Sequence, residues 1–88
     1  MIRRRVVVHG LVQGVFFRDS VRRRALGSGV AGRVRNTREG NVEAIFEGEP
    51  EAVERLVSFC HEGPRGARVE RVDVFDEIVE GMHGFVIA

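Results

Sequence analysis

GLVQGVFFR, residues 10–18, lies between a valine-rich segment and an arginine-rich segment. The alternation before it predicts a strand over residues 4–9, because successive side chains of a strand point to opposite faces. After it, apolar residues recur with the period of a helix over residues 17–26, at Phe17, Val21 and Ala25. The stretch is therefore a strand-to-helix turn, and Gly27 is predicted to end the helix.

The remaining chain continues the alternation of strand and helix patterns. Residues 30–36 and 42–47 alternate apolar with polar side chains, and the glycine-containing segment 37–41 between them predicts a hairpin turn. Pro50 begins a second helix, which stops near Gly63 and has the apolar stripe Val53, Leu56, Val57 and Cys60. Two further strands are predicted over residues 69–78 and 84–87.

The order of elements is βαββαβ with a short extra C-terminal strand. This order predicts an α+β fold, a ferredoxin-like two-layer sandwich in which an antiparallel sheet has both helices on one face. Residues 1–88 form one domain, because 88 residues with 43% hydrophobic content suffice for a single core.

The hairpin pattern also predicts a register. Pairing Val34 with Ala44 and Asn36 with Val42 separates the apolar residues from the charged ones, with Arg35 opposite Glu43 on the other face. A slip of one residue would destroy this separation. The face that the helices leave uncovered is then largely charged, with Arg33, Arg35, Glu43 and Glu47, and with Ile45 as its main apolar member.

Composition restricts the classes of partner and compartment. The net charge is only +1, which does not indicate a general polyanion-binding surface, and the run Arg22 to Arg24 is expected to be a solvated helix face. The lone Cys60 excludes an internal disulfide and fits the core stripe. Residues 2–8 are too short and too charged for a signal segment or a membrane span. We therefore expect a cytoplasmic monomer without a membrane partner.

The turn at residues 10–18 has the composition of an oxyanion site. Its two glycines allow a tight turn in which several N–H groups point into one concavity, and the first turn of the following helix adds more unpaired donors. Arg18 supplies a planar, permanently charged guanidinium. A phosphate group matches this set of donors.

Other phosphate chemistries are excluded by position. A cysteine-dependent phosphatase would need a thiol at position 12 if Arg18 held the phosphate, and Val12 stands there. The chain has no lysine, so a nucleotide-binding P-loop and Schiff-base chemistry are both excluded. The three histidines, His9, His61 and His83, are too scattered to indicate a metal site.

Three motifs together resemble the acylphosphatase family over nearly the whole chain. They are Gly10-x-Val12-Gln13-Gly14-Val15-x-Phe17-Arg18, Gly32-x-Val34-Arg35-Asn36 and Gly40-x-Val42-Glu43. The resemblance implies hydrolysis of acyl phosphates to a carboxylate and inorganic phosphate, without metal or cofactor. It also implies that Arg18 and the loop backbone hold the phosphate, the loop residues being Gln13, Gly14, Val15, Phe16 and Phe17. Asn36 would position water. Arg33 stands where the family often has tryptophan, a difference that would bear on the acyl side of the pocket.

Alternative interpretations remain at this stage. Asparagine is well suited to begin a turn, so Asn36 by itself fits a structural role in the hairpin. The chain could also be a regulatory domain that binds an acyl or carbamoyl phosphate without turnover. A module that binds single-stranded RNA uses the same fold plan, but Glu43 and Glu47 on the open face would repel nucleic acid and replace the stacking aromatics. We therefore expect no nucleic-acid partner.

Overall fold

The computed structural model describes all residues, 1–88, and contains five strands and two helices. Their bounds are β1 Ile2–Leu11, α1 Phe17–Ser28, β2 Ala31–Asn36, β3 Val42–Gly48, α2 Pro50–Glu62, β4 Arg68–Glu77 and β5 Phe85–Ile87. The sheet has the strand order β4-β1-β3-β2-β5. This is the predicted βαββαβ sandwich with an extra C-terminal strand. Neither α1 nor α2 has the length and apolar composition of a membrane-spanning helix.

The predicted hairpin register is confirmed. Val34 pairs with Ala44, Asn36 with Val42, and Arg35 with Glu43. The last pair forms an ion pair on the sheet surface, with Arg35 Nε 2.8 Å from a carboxylate oxygen of Glu43. The register therefore follows from placing apolar side chains on the helix-covered face.

The expectation of a fully antiparallel sheet is wrong for β5, which runs parallel to β2. Strand β4 ends at Glu77, which pairs with Arg3, and Arg3 pairs in turn with Glu47 opposite Ala31. All four residues lie at one end of the sheet. Because the chain crosses the sheet at that end, it reaches β2 where β2 begins, and both strands then run in the same direction.

Two predicted boundaries around the loop between β1 and α1 also change. Strand β1 continues to Leu11, with a bulge between His9 and Gly10 in its pairing with β4. A Cβ atom at Gly10 would lie 2.2 Å from the Arg68 carbonyl oxygen, so only glycine permits this approach of the two backbones. Helix α1 includes Gly27 and ends at Ser28, and the left-handed Gly29, two residues after Gly27, caps it.

The core fills the space between the helices and the sheet. Both helical stripes are buried as predicted, and α2 contributes Val53, Leu56, Val57 and Cys60. Strand β1 contributes Val6 and Val8, which are fully buried. Packing of these apolar stripes holds both helices against the sheet.

The opposite face of the sheet is less open than expected. Glu47 is only 2% exposed and Ile45 only 5%, whereas Arg33 and Arg35 are exposed. The segment 78–84 covers Glu47, whose carboxylate accepts hydrogen bonds from the backbone N–H groups of Glu80 at 2.8 Å and Met82 at 2.6 Å. The carboxylate therefore anchors the connection that leads to β5.

Candidate active site

A cavity of about 300 Å³ opens at the end of the sheet opposite to this connection. The end of β1, the N-terminus of α1, the end of β2 and the end of β5 meet there. Its lining residues are Val12, Gly14, Phe16, Phe17, Arg18, Asp19, Asn36 and Ile87. Segments that are distant in sequence thus contribute to one concave site.

The loop between β1 and α1 has an unusual backbone. Gly14 has φ 76° and Phe16 has φ 60°, and Phe16 is the one residue other than glycine with positive φ. A phenylalanine in the left-handed region costs on the order of 1–3 kcal/mol, so the surrounding structure must hold it there. Left-handed residues within a short loop turn neighbouring N–H groups toward the same side, which creates an anion-binding concavity.

The donors of this loop are free. The backbone hydrogen bonds of turns and caps use no N–H group from residues 13–17 as donor. Helix α1 begins at Phe17 without a side-chain cap, so its first-turn N–H groups lack partners as well. The positive end of the helix dipole therefore points to the cavity with its donors available.

Arg18 is the one cationic residue lining the cavity, and Asp19 is the one anionic residue. Asp19 forms an ion pair with Arg23 one turn later, at 3.1 Å. The Arg18 guanidinium consequently has no carboxylate partner in the cavity and is available to an anion.

Asn36 presents an acceptor without a partner. Its Oδ1 atom is buried and has no hydrogen-bond partner, and no other buried side-chain nitrogen or oxygen of the chain is in that state. A buried polar atom left unpaired costs about 1–3 kcal/mol, so such atoms in native structures indicate a ligand or water site. Asn36 lines the cavity beside Arg18.

Gln13 connects the loop to the hairpin. Its side-chain Nε2 donates to the carbonyl oxygens of Thr37 and Asn41, both at 2.9 Å. The sequence indicated only a backbone contribution from Gln13, because a side-chain bond to a distant turn leaves no local pattern. Val15 is not among the lining residues and packs against the core.

Of the seven residues predicted from sequence, five line the cavity, namely Gly14, Phe16, Phe17, Arg18 and Asn36. Sequence reasoning missed Val12, Asp19 and Ile87 as lining residues. The motif could have indicated Val12, which lies within it, and Asp19, which directly follows it, but Ile87 joins the site only through the pairing of β5 with β2. Arg33 does not line the cavity.

Other reactive side chains lie elsewhere. Cys60 is fully buried in the core, and burial raises the pKa of its thiol to about 12. The ring of His9 contacts Asp73 at 2.9 Å, and this hydrogen bond lowers the pKa of Asp73. No group of three or more histidine, cysteine, aspartate or glutamate side chains is placed to hold a metal ion.

Comparison with known proteins identifies the family. The family model described as Acylphosphatase matches residues 4–87. The chain belongs to the acylphosphatase family. An acylphosphatase from Rubrobacter xylanophilus is 61% identical over 77 residues, which are 88% of this chain and 70% of that protein. An acylphosphatase from Thermococcus kodakarensis is 49% identical over 98% of this chain and 94% of that protein.

Solved acylphosphatase structures have the same fold. The crystal structure of acylphosphatase from Bacillus subtilis superposes with a TM-score of 0.95 at 35% identity, covering 100% of this chain and 99% of the other. A structure from Coxiella burnetii gives 0.94 at 37% identity, covering 99% and 92%. The predicted family and fold are confirmed, and the chain is a hydrolase of the acylphosphatase type.

Proposed function

We propose that the cavity binds the phosphate of an acyl phosphate and that Asn36 positions the water that attacks it. The observation that carries this proposal is the buried, unpaired Oδ1 of Asn36 beside a guanidinium that has no carboxylate partner. A water molecule satisfies that acceptor, and a phosphate group satisfies the guanidinium and the free N–H groups of the loop.

Each part then has one task. The backbone N–H groups of residues 13–17 and the Arg18 guanidinium donate to the phosphate oxygens, where charge resides in a loose phosphoryl-transfer transition state. Asn36 holds the water in line with the leaving oxygen. The water oxygen bonds to phosphorus, the bond between phosphorus and the acyl oxygen breaks, and the products are a carboxylate and inorganic phosphate.

The cavity contains few groups that could transfer protons. An amide does not titrate in this range, so Asn36 cannot act as a base. Asp19, the one carboxylate of the lining, is paired with Arg23. A carboxylate leaving group needs no protonation at neutral pH, which is why positioning and charge stabilisation suffice for an acyl phosphate and not for a monoester.

The same proposal extends to the partners of the chain. It acts on small-molecule acyl phosphates as a monomer in the cytoplasm, without a nucleic-acid partner. A net charge of +1 and the ion pair on the sheet surface support the absence of a nucleic-acid partner, because neither provides a strongly cationic face.

Release of inorganic phosphate from acetyl phosphate by the purified chain tests the proposal, with p-nitrophenyl phosphate as the monoester control. We expect turnover of the acyl phosphate and little turnover of the monoester. Equal rates on both substrates would contradict the leaving-group argument. Binding of acetyl phosphate without turnover would instead support the regulatory-domain alternative.

A further inference from the structure

Two apolar side chains stand at the mouth of the phosphate cavity. Phe16 is 81% exposed and Ile87 is 41% exposed, and both line the same cavity as Arg18 and Asn36. Exposed large apolar groups next to a polar site are typical of a surface that a ligand covers. With the phosphate at the loop, as proposed above, the acyl group would extend toward this mouth.

Both side chains are attached to well-held backbone. The carbonyl of Phe16 accepts the first hydrogen bond of helix α1, from Ser20 N–H at 3.0 Å. Ile87 lies beside Val34 in the parallel pairing, and the next residue, Ala88, donates its N–H to the Val34 carbonyl at 2.9 Å. Val34 precedes Asn36 by two residues on the same strand. Strand β2 therefore holds both Ile87, through its pairing with Val34, and Asn36.

The charges of the cavity argue against a second anionic group on the substrate. Arg18 is the one cation in the lining, and the phosphate uses it. The remaining charged residue is Asp19, which is paired with Arg23, so the lining has no second cation for an acyl group that carries a carboxylate of its own. An apolar acyl group needs no such cation.

We propose that Phe16 and Ile87 form an acyl subsite that selects acyl phosphates of apolar carboxylic acids, aliphatic or aromatic, over those that carry a second carboxylate. This inference rests on the proposed function, because it takes the phosphate to be bound at the loop. Burial of the acyl group against the two side chains removes apolar surface from water and stabilises the complex and the transition state together.

The test compares kcat/KM for benzoyl, acetyl and succinyl phosphate. The unaltered protein is expected to favour benzoyl over acetyl phosphate and acetyl over succinyl phosphate. Ile87→Ala should lower the benzoyl-to-acetyl ratio of kcat/KM by about 10-fold, the scale for loss of a few methyl or methylene contacts in a pocket. Phe16→Ala, which keeps a Cβ at the left-handed position, should lower the same ratio.

Val86→Ala is the matched control. Val86 is the neighbouring residue of β5, pairs with Arg33, and is absent from the cavity lining. Val86→Ala should therefore leave the benzoyl-to-acetyl ratio of kcat/KM unchanged. Ile87→Arg adds a cation at the mouth and should raise the succinyl-to-acetyl ratio. Circular dichroism and thermal unfolding of each variant verify that it is folded.

Several outcomes would overturn the subsite. Equal kcat/KM values of the unaltered protein for all three substrates would refute the selectivity. Equal effects of Ile87→Ala and Val86→Ala on the benzoyl-to-acetyl ratio would refute the assignment to Ile87. Absence of hydrolysis of all three substrates by the folded, unaltered protein would instead refute the proposed function, and the subsite with it. The two failures are therefore distinguishable.

Discussion

The side-chain amide of Gln13 donates to the Thr37 carbonyl oxygen at 2.9 Å, across 24 residues of chain. Thr37 directly follows Asn36, and Gln13 begins the loop that turns into α1. The same amide nitrogen donates to Asn41, whose carbonyl also accepts the Thr37 N–H at 2.9 Å. One side chain thus sets the position of the loop relative to the hairpin that supports Asn36.

Gln13→Met should lower kcat and weaken phosphate binding while the protein stays folded. Methionine retains the length of the side chain but has no N–H donor, so both bonds to the hairpin are lost. The loss should reduce the free energy of unfolding by about 1–2 kcal/mol, as expected for two ordinary hydrogen bonds. Urea unfolding measures the stability, and steady-state kinetics with acetyl phosphate measure the turnover. Full activity in Gln13→Met would show that the loop holds its position without this link.

Arg18→Ala should abolish binding of inorganic phosphate, because no other cation lines the cavity. Arg18→Lys should restore little of it, since an ammonium cannot reproduce the planar fork of donors. Isothermal titration calorimetry with phosphate measures the affinity. Arg22→Ala is the control, because Arg22 is exposed on the same helix and does not line the cavity. Unchanged affinity in Arg18→Ala would exclude Arg18 from the site.

Asn36→Ala should keep the affinity for phosphate and lower kcat by at least about 10²-fold, the scale for loss of one preorganised polar group. The free energy of unfolding should not fall through a lost Oδ1 bond, because that atom has no partner within the chain. Calorimetry, kinetics and urea unfolding of the same variant separate binding, turnover and stability. A folded variant with near-normal kcat would leave only the structural role in the hairpin.

Acid should destabilise the protein through Glu47 and Glu77. Hydrogen bonds from the Glu80 N–H to Glu47, and from Arg3 to Glu77, lower the pKa of each carboxyl below its ordinary value of 4.5. A lowered folded-state pKa contributes stability that is present above the unfolded-state pKa and is lost as pH falls through the folded-state pKa. The free energy of unfolding should therefore decrease below about pH 4.5, and urea unfolding across pH measures it.

Glu47→Gln checks the same network at neutral pH. Arg3 is 3% exposed and lies 3.4 Å from Glu47, so the variant leaves a buried cation with fewer partners. We expect the free energy of unfolding to fall by about 3 kcal/mol. This is the lower end of the range for breaking a buried ion pair, because Arg3 keeps its ion pair with Glu77. Glu54→Gln is the control, since the pair of Glu54 with Arg4 is at the surface and should contribute at most about 1 kcal/mol. A similarly small fall in the free energy of unfolding for both variants would mean that burial of the Arg3–Glu47 pair does not affect stability.

Cys60→Ser should change stability and not turnover. The thiol lies in the core, and its raised pKa keeps it protonated and unreactive at neutral pH. A hydroxyl in that apolar site should lower the free energy of unfolding by about 1–3 kcal/mol, which thermal unfolding detects. Iodoacetamide should leave the activity of the folded protein intact. Loss of kcat in a folded Cys60→Ser protein would contradict a purely structural role.

The sequence by itself determined the order of the elements, the hairpin register and the position of the glycine-containing loop before α1. These features depend on local chemistry. Periods of 2 and 3.6 residues distinguish strands from helices, a slip of one residue would expose Val34 and bury Arg35, and glycines next to an arginine define the loop. The spacing of the three motifs between Gly10 and Glu43 was enough to indicate the family.

The tertiary structure decided what depends on contacts between distant segments. The direction of β5, and with it the place of Ile87 in the cavity, follows from where the chain crosses the sheet after β4. Glu47 belongs to the outward side of its strand, yet the segment 78–84 covers it and supplies its hydrogen-bond donors. The amide of Gln13 reaches a turn 24 residues away. Periodicity shows which face of a strand a side chain occupies, but which segment covers that face is determined only when the whole chain packs.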